Sequence, residues 1–239
     1  RRILLPFAME DAAPFSELLL QELGRKVHII VAQRGDNKRR SDLAQQNAKE
    51  EALRATSAAE RLNGVLSALQ KLLGMDHLPD RLEAYDISNT AGTDIVASMT
   101  VFQGGKPKKS DYKRFKVENM EQQDDYASMR QVVCRRFCHY LDGDKGFVEM
   151  PDALLIDGGV THAQTVKEAL DAMQIHVPIF GMVKDDRHRT RALVTPEGAE
   201  IGIQAIPAVF ALIGHIQEET HRFAITYHRT LRSKRVRGS

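Results

Sequence analysis

The chain has 239 residues, 42% of them hydrophobic and 28% charged, with a formal net charge of +2. These are the proportions of an ordinary globular protein with room for one large domain and a smaller companion. No apolar run approaches the roughly 18 residues that a membrane span needs, so the reading is a protein without a membrane.

The opening Arg1-Arg2-Ile3-Leu4-Leu5-Pro6 has no initiator Met and no signal-peptide anatomy, and reads as a piece cut from a longer protein. The stretch from Arg1 to about Met75 reads strand, helix, strand, long helix. Ile3-Leu4-Leu5 is a short apolar run stopped by Pro6. Pro14 to Leu23 is a helix with Gly24 as its stop. Val27, Ile29 and Val31 alternate as a half-buried strand does, and Arg34-Gly35-Asp36-Asn37 reads as a polar turn. A long helix starts near Ser41, and Leu62, Val65, Leu66, Leu69, Leu72 and Leu73 form its apolar stripe. Gly74 ends it, and Met75–Asp80 is the linker. Residues 1-76 are thus a βαβα unit, and 80-239 a second domain.

The second section follows another pattern. Leu82–Ser88, Asp94–Phe102 and Tyr112–Val117 read as an antiparallel meander, with Gly104-Gly105 as a turn. A helix follows, with Asp124 or Asp125 near its start and Tyr126, Met129, Val132, Val133 and Phe137 on its apolar side. Cys134 and Cys138, four apart, share one helix face. That spacing suits neither a disulfide framework nor a four-ligand zinc site, and predicts reduced, buried or half-buried thiols in a cytoplasmic protein. Ala153-Leu154-Leu155-Ile156 is apolar throughout, as a strand buried on both faces is. A helix from about His162 to Met173, a strand Pro178–Val183, a short polar hairpin and a long helix from about Pro207 past His221 complete the chain. This element order is that of an RNase H-like α/β fold, a mixed sheet flanked by helices. In that fold the first and fourth strands lie side by side, which brings Asp86 and Asp157 together.

Asp86 stands inside an otherwise apolar strand, where a carboxylate is costly to bury without a positive partner. Asp157 ends an apolar strand just before Gly158-Gly159, at the kind of strand end where ligands bind. Taken singly, each has a plainer reading: a turn-forming Asp at 157, an Asp bonded to backbone N–H at 86, helix N-caps at Asp124 and Asp125. Together they suit Mg2+ or Mn2+, because hard cations take carboxylate oxygens and can activate a water against a phosphodiester. Two carboxylates in one site also repel, so at least one should have a raised pKa. A lone helical histidine such as His221 is usually structural or solvated, but here basic residues surround it. His162, His188, His215 and His228 are its rivals. Arg222, Arg229, Arg232, Lys234, Arg235 and Arg237 run to the end without an acid, and Lys106, Lys108, Lys109, Lys113, Arg114 and Lys116 form a second basic cluster. Both point to a polyanion.

Several ordered blocks carry a family resemblance. They are Gln33-Arg34-Gly35-Asp36, Tyr85-Asp86-Ile87-Ser88-Asn89-Thr90, Gly92-Thr93 and Val96-Ala97-Ser98-Met99, then Lys106–Tyr112, Asp124–Met129, Ile156-Asp157-Gly158-Gly159 and His221–Thr226. In these the chain resembles the C-terminal endonuclease region of UvrC, the nuclease component of the UvrABC excinuclease. The resemblance implies a metal-dependent endonuclease making the 5′ incision in damaged double-stranded DNA, working with UvrB, and with UvrA upstream. It places the catalytic set on Asp86, Asp157, His221 and Asp125, with Asp124 as the fallback for the last. Asp86 and Asp157 are the expected metal ligands, and Arg222, Arg229, Arg232, Lys108, Lys109 and Lys184 the expected DNA contacts. Where the family has Lys-Gly-Gln after Asp-Gly-Gly, this chain has Val160-Thr161-His162, which leaves His162 or Lys184 to replace the lysine. The family's Arg-Asp-Glu before the histidine is here Gln217-Glu218-Glu219. The family's GIY-YIG nuclease, UvrB-binding segment and helix-hairpin-helix pair are not seen, so the expectation is no 3′ incision and weak DNA binding. The alternative is a non-catalytic RNase H-like scaffold that binds DNA or protein.

Overall fold

A computed structural model describes residues 2–89, 95–117, 124–186 and 189–237, with the backbone alone at 88, 89, 95 and 227–237. The chain divides into two compact units, Arg1–Arg61 and Leu62–Ser239.

In the first unit, β1 (Arg2–Leu5) and β2 (His28–Val31) pair in parallel, with α1 (Ala12–Leu23) between them in sequence. Gly24, at φ 64°, closes α1 by donating its N–H to Leu20 O, the left-handed cap that glycine adopts without strain. Helix α2 (Gly35–Leu73) follows, and the division between the units falls within it, so that residues 75–80 lie inside the second unit, with Met75 and Leu78 packed on its core. It starts at Gly35, six residues before the expected Ser41. The polar Arg34–Asn37 segment supplies the helix's first turn instead of a separate turn: Asp36 lies where the helix dipole favours an acid, and Lys38 pairs with Asp42 at 2.6 Å one turn on.

The second unit is built on one mixed sheet. Its strands are β3 (Arg81–Asn89), β4 (Ile95–Gln103), β5 (Lys106–Pro107), β6 (Lys113–Lys116), β7 (Ala153–Asp157), β8 (Ile179–Lys184), β9 (Thr190–Val194) and β10 (Glu200–Gly202). They lie in the order β10-β9-β8-β7-β3-β4-β5, with β6 also paired to β4. The contacts β3 to β7 and β7 to β8 are parallel, and the others antiparallel. Helices α3 (Asp125–Leu141), α4 (Val160–Ala172) and α5 (Pro207–Arg237) flank it. This is the RNase H-like α/β arrangement, with β3 and β7 neighbours. The expected hairpin after β8 is present as the antiparallel β9–β10 pair, but it is less polar than expected. Ala192, Leu193 and Val194 are buried, and β9 extends the main sheet against β8. Arg191, the one half-buried residue of β9, binds Glu200 of β10 at 2.6 and 3.1 Å.

Strand alternation divides the core in two. On one face Tyr85, Met99, Leu154 and Ile156 pack with Met129, Val133 and Phe137 of α3 and with Val166 of α4. On the other, Leu82, Ala84, Phe102, Ala153 and Leu155 pack with Val209, Ile213 and Ile216 of α5 and with Leu66 and Leu69. Each such fully buried Leu or Ile contributes about 2 kcal/mol. Asp86 has the parity of Leu82 and Ala84, and Asp157 that of Ala153 and Leu155. Both carboxylates therefore leave the sheet on the face that α5 covers.

Both cysteines are free. Cys134 is half-buried, whereas Cys138 is exposed, contrary to the expected burial, because Val133 and Phe137 take the inward positions of α3.

Candidate active site at the carboxyl ends of β3 and β7

The register Tyr85 to Ile156 places Asp86 and Asp157 at adjoining positions of neighbouring parallel strands. Both line a cavity of about 340 Å³ with Asp125, Gly158, Gly159, His162, Met182 and Lys184. Asp86 is only 6% exposed. Burial first, and then the Asp157 charge, raises its pKa to about 6, while His221 and Lys184 oppose the shift. The sequence-based expectation of one raised carboxyl in the pair is met.

Asp157 is held differently. Lys184, from the end of β8, places its ammonium 2.8 Å from Oδ2 and 2.7 Å from Oδ1. Gly181 permits this approach, because a Cβ there would come within 2.6 Å of the Gly158 carbonyl oxygen and 2.9 Å of the Gly159 oxygen. A side chain at 181 would push β8 away from the Asp-Gly-Gly turn. A Cβ at Gly158 would collide with the ring of His162, which packs at a tilt of 38° against Tyr126 with ring centroids 4.4 Å apart. Burial lowers the His162 pKa despite nearby Asp125 and Asp157, favouring the neutral ring. Both proposed replacements for the family lysine thus border the cavity.

The two adjacent acids at the start of α3 separate in role. Asp124 is the N-cap and accepts from the backbone N–H of Tyr126 and Ala127, both at 3.0 Å. Asp125, one residue on, is the one that lines the cavity.

His221 approaches from α5, with Nδ1 3.3 Å from Asp86 Oδ2 and a side chain 62% exposed. Three polar contacts that sequence reading missed seat this part of α5. Gln217 accepts from Thr190 N at 2.8 Å, Thr220 Oγ1 meets Thr100 Oγ1 at 2.6 Å, and Glu219 accepts from Tyr112 OH at 3.2 Å. Glu219 also binds Arg222 at 2.6 and 2.7 Å, and that hydrogen bonding holds its carboxyl below the usual range. The rival His215 packs its ring against Phe102, 5.5 Å between centroids. The side chain of His228, and His188, lie outside the described residues.

The predicted phosphate contacts divide as well. Lys108 is paired with Glu149 at 3.0 Å and Asp111 at 3.1 Å, while Lys109 is exposed. The side chains of Arg229 and Arg232 lie outside the described residues. On the opposite face of β3, sequence reading also missed a buried ion pair. Glu83 accepts from Arg136 at 2.9 and 3.0 Å and from Tyr85 OH at 2.8 Å.

Among the described residues no cluster of three or more His, Cys, Asp or Glu side chains is already arranged as a metal cage. The donor set still suits a hard cation: two carboxylates at one strand end, one of them buried with a raised pKa, and a third acid in the same cavity. Also among the described residues, no helix is long and apolar enough to cross a membrane.

Comparison with known proteins adds the following. A family model described as the UvrC RNAse H endonuclease domain matches residues 70–225, and one described as the UvrC Ribonuclease H-like domain matches residues 1–55. UvrABC system protein C of Thermoanaerobacter sp. is 44% identical over 252 residues, which cover 100% of this chain and 41% of that protein. The same protein of Caldanaerobacter subterraneus subsp. tengcongensis is 42% identical over 251 residues, 99% of this chain and 40% of that one. The chain therefore spans about two fifths of the length of these curated relatives. Among solved structures, endonuclease V of Ciona intestinalis in complex with inosine-containing DNA is similar at a TM-score of 0.35 and 14% identity, covering 57% of this chain and 59% of that one.

Proposed function

Because the chain belongs to the UvrC RNase H endonuclease domain family, we propose that it hydrolyses a DNA phosphodiester, making the 5′ incision of nucleotide excision repair with UvrB in the cytoplasmic UvrABC system. One observation carries this reading: Asp86 and Asp157, distant in sequence, share one cavity while His221 reaches Asp86 from a third element. The damaged duplex is the substrate class, with UvrA acting upstream.

In this reading Asp86 and Asp157 would hold Mg2+ or Mn2+. A bound divalent cation supplies Lewis-acid polarisation of the phosphate and an activated water. Asp125, which lines the same cavity, would orient the attacking water. The Asp86 contact to Nδ1 of His221 leaves Nε2 to move a proton at the scissile phosphate. Lys109, Arg229 and Arg232 take the backbone phosphates, joined by Lys184 when a cation displaces it from Asp157; Arg222 is held by Glu219 as Lys108 is by Glu149 and Asp111, and His162 lines the same cavity.

The test is nicking of lesion-containing duplex by the chain supplied with UvrA, UvrB and Mg2+. Asp86→Asn should lower the 5′ nicking rate by about a hundredfold or more while the variant stays folded. An Asp86→Asn protein that nicks at the wild-type rate refutes the assignment. The non-catalytic scaffold is kept as the rival because Lys184 already compensates Asp157. A wild-type chain that binds DNA, shows no Mn2+ binding and never nicks would favour it.

A further inference from the structure

Ser98 stands directly across from Asp86 in the antiparallel β3–β4 register. Cross-strand partners of this kind share a face, with Cβ atoms about 5 Å apart. The neighbours on β4 confirm which face it is: two residues on, Thr100 bonds Thr220 of α5, and then Phe102 packs on His215. Ser98 therefore lies beneath α5, beside the carboxylate that His221 touches.

Its burial and its bonding disagree. Ser98 is 0% exposed, and its Oγ is one of the few buried side-chain atoms without a hydrogen-bond partner among the described residues. A buried hydroxyl in that condition destabilises a fold, and alanine would suit the same space better. Thr100 makes the contrast, since its hydroxyl is as deeply buried but is bonded. The orphaned hydroxyl is a rotor with two cross-strand partners, Arg114 on β6 and Asp86 on β3, of which only Asp86 carries an acceptor side chain, with one oxygen already engaged by His221.

We infer that Ser98 is a positioning residue for Asp86, its hydroxyl donating to the Asp86 carboxylate when that carboxylate holds a divalent cation. This rests on the proposed metal-binding role of Asp86. A carboxylate that ligates a cation through one oxygen keeps its orientation when an outer hydrogen bond fixes the carboxyl group. The hydroxyl is thus an apolar-site liability in the free protein and an asset in the loaded one.

The test uses the 239-residue chain and Mn2+ alone. Urea unfolding is measured without metal, and Mn2+ affinity by titration calorimetry, for wild type, Ser98→Ala and Asp86→Asn. Ser98→Ala should unfold at the wild-type midpoint or above it and bind Mn2+ about three- to tenfold more weakly, with Asp86→Asn losing binding. Lower metal-free stability of Ser98→Ala, or an unchanged affinity, overturns the inference. If wild type binds Mn2+ and Asp86→Asn does not, an unchanged Ser98→Ala sinks the Ser98 role alone. If wild type binds no Mn2+, the metal reading fails and this inference fails with it.

Discussion

Asp86 and Glu83 are both carboxylates in one apolar strand, and the alternation of β3 sends them to opposite faces. Glu83 is satisfied by Arg136 and Tyr85, whereas Asp86 meets an imidazole at 3.3 Å and the field of a second acid. Breaking the buried pair should be costly: Arg136→Met is expected to destabilise by about 3–5 kcal/mol, read from urea unfolding. Replacing both partners, as Glu83→Leu with Arg136→Met, should recover only part of that loss, because Tyr85 OH and Arg81 also lose Glu83 as an acceptor. Asp86 predicts the opposite sign. Its folded pKa of about 6 lies above the ordinary 3.8, so its ionisation destabilises the metal-free fold as pH rises from about 4 to 6. Asp86→Asn should therefore unfold with near wild-type stability at pH 4 and exceed it by about 3 kcal/mol at pH 7. Equal stabilities at pH 7 would contradict the burial argument. Asp86 was legible from sequence as an acid among apolar neighbours. Glu83 carries the same signal and was passed over, because its partner Arg136 sits on α3, where nothing local marks it.

At the scale of elements, α5 is the part that delivers chemistry, and polar contacts as well as apolar ones hold it in register. Thr220→Val leaves the buried Thr100 hydroxyl without its partner and should cost about 1–2 kcal/mol, while turnover falls further through displacement of His221; matched unfolding and nicking assays check both. The Asp124 cap is separable from its neighbour: Asp124→Ala should lower stability by about 1 kcal/mol and leave Mn2+ affinity unchanged. The helical periodicity of α3 and α5 and the apolar runs of β7 and β8 made these elements readable. Strand β9 was not, because its inward set is only Ala192, Leu193 and Val194 after a polar start. The start of α2 was missed since Gly35 and Asp36 signal a turn as strongly as a helix terminus.

For the whole molecule, the decisive step is the adjacency of β3 and β7, which no local pattern contains. Element order implied it, and the parallel register supplies it. The pairing of Lys184 with Asp157 and of Lys108 with Glu149 could not be read from sequence, because charge clusters there look alike whether paired or free. This gives a salt-dependence prediction for DNA binding. Each phosphate contact removed should lower the slope of log affinity against log salt by about 0.9. Lys109→Ala should show that change, and Lys108→Ala should not, since Glu149 and Asp111 already compensate its ammonium. Equal slopes for the two variants would mean that the paired lysine also reaches the duplex.

The metal-binding role of Asp86 and Asp157 is tested most directly by where a cation settles. Anomalous diffraction from crystals of the chain soaked in Mn2+ should show a peak bounded by the carboxylates of Asp86 and Asp157, with the Lys184 ammonium displaced from Asp157. A soaked crystal with Lys184 still on Asp157 and no manganese at that strand end would contradict it.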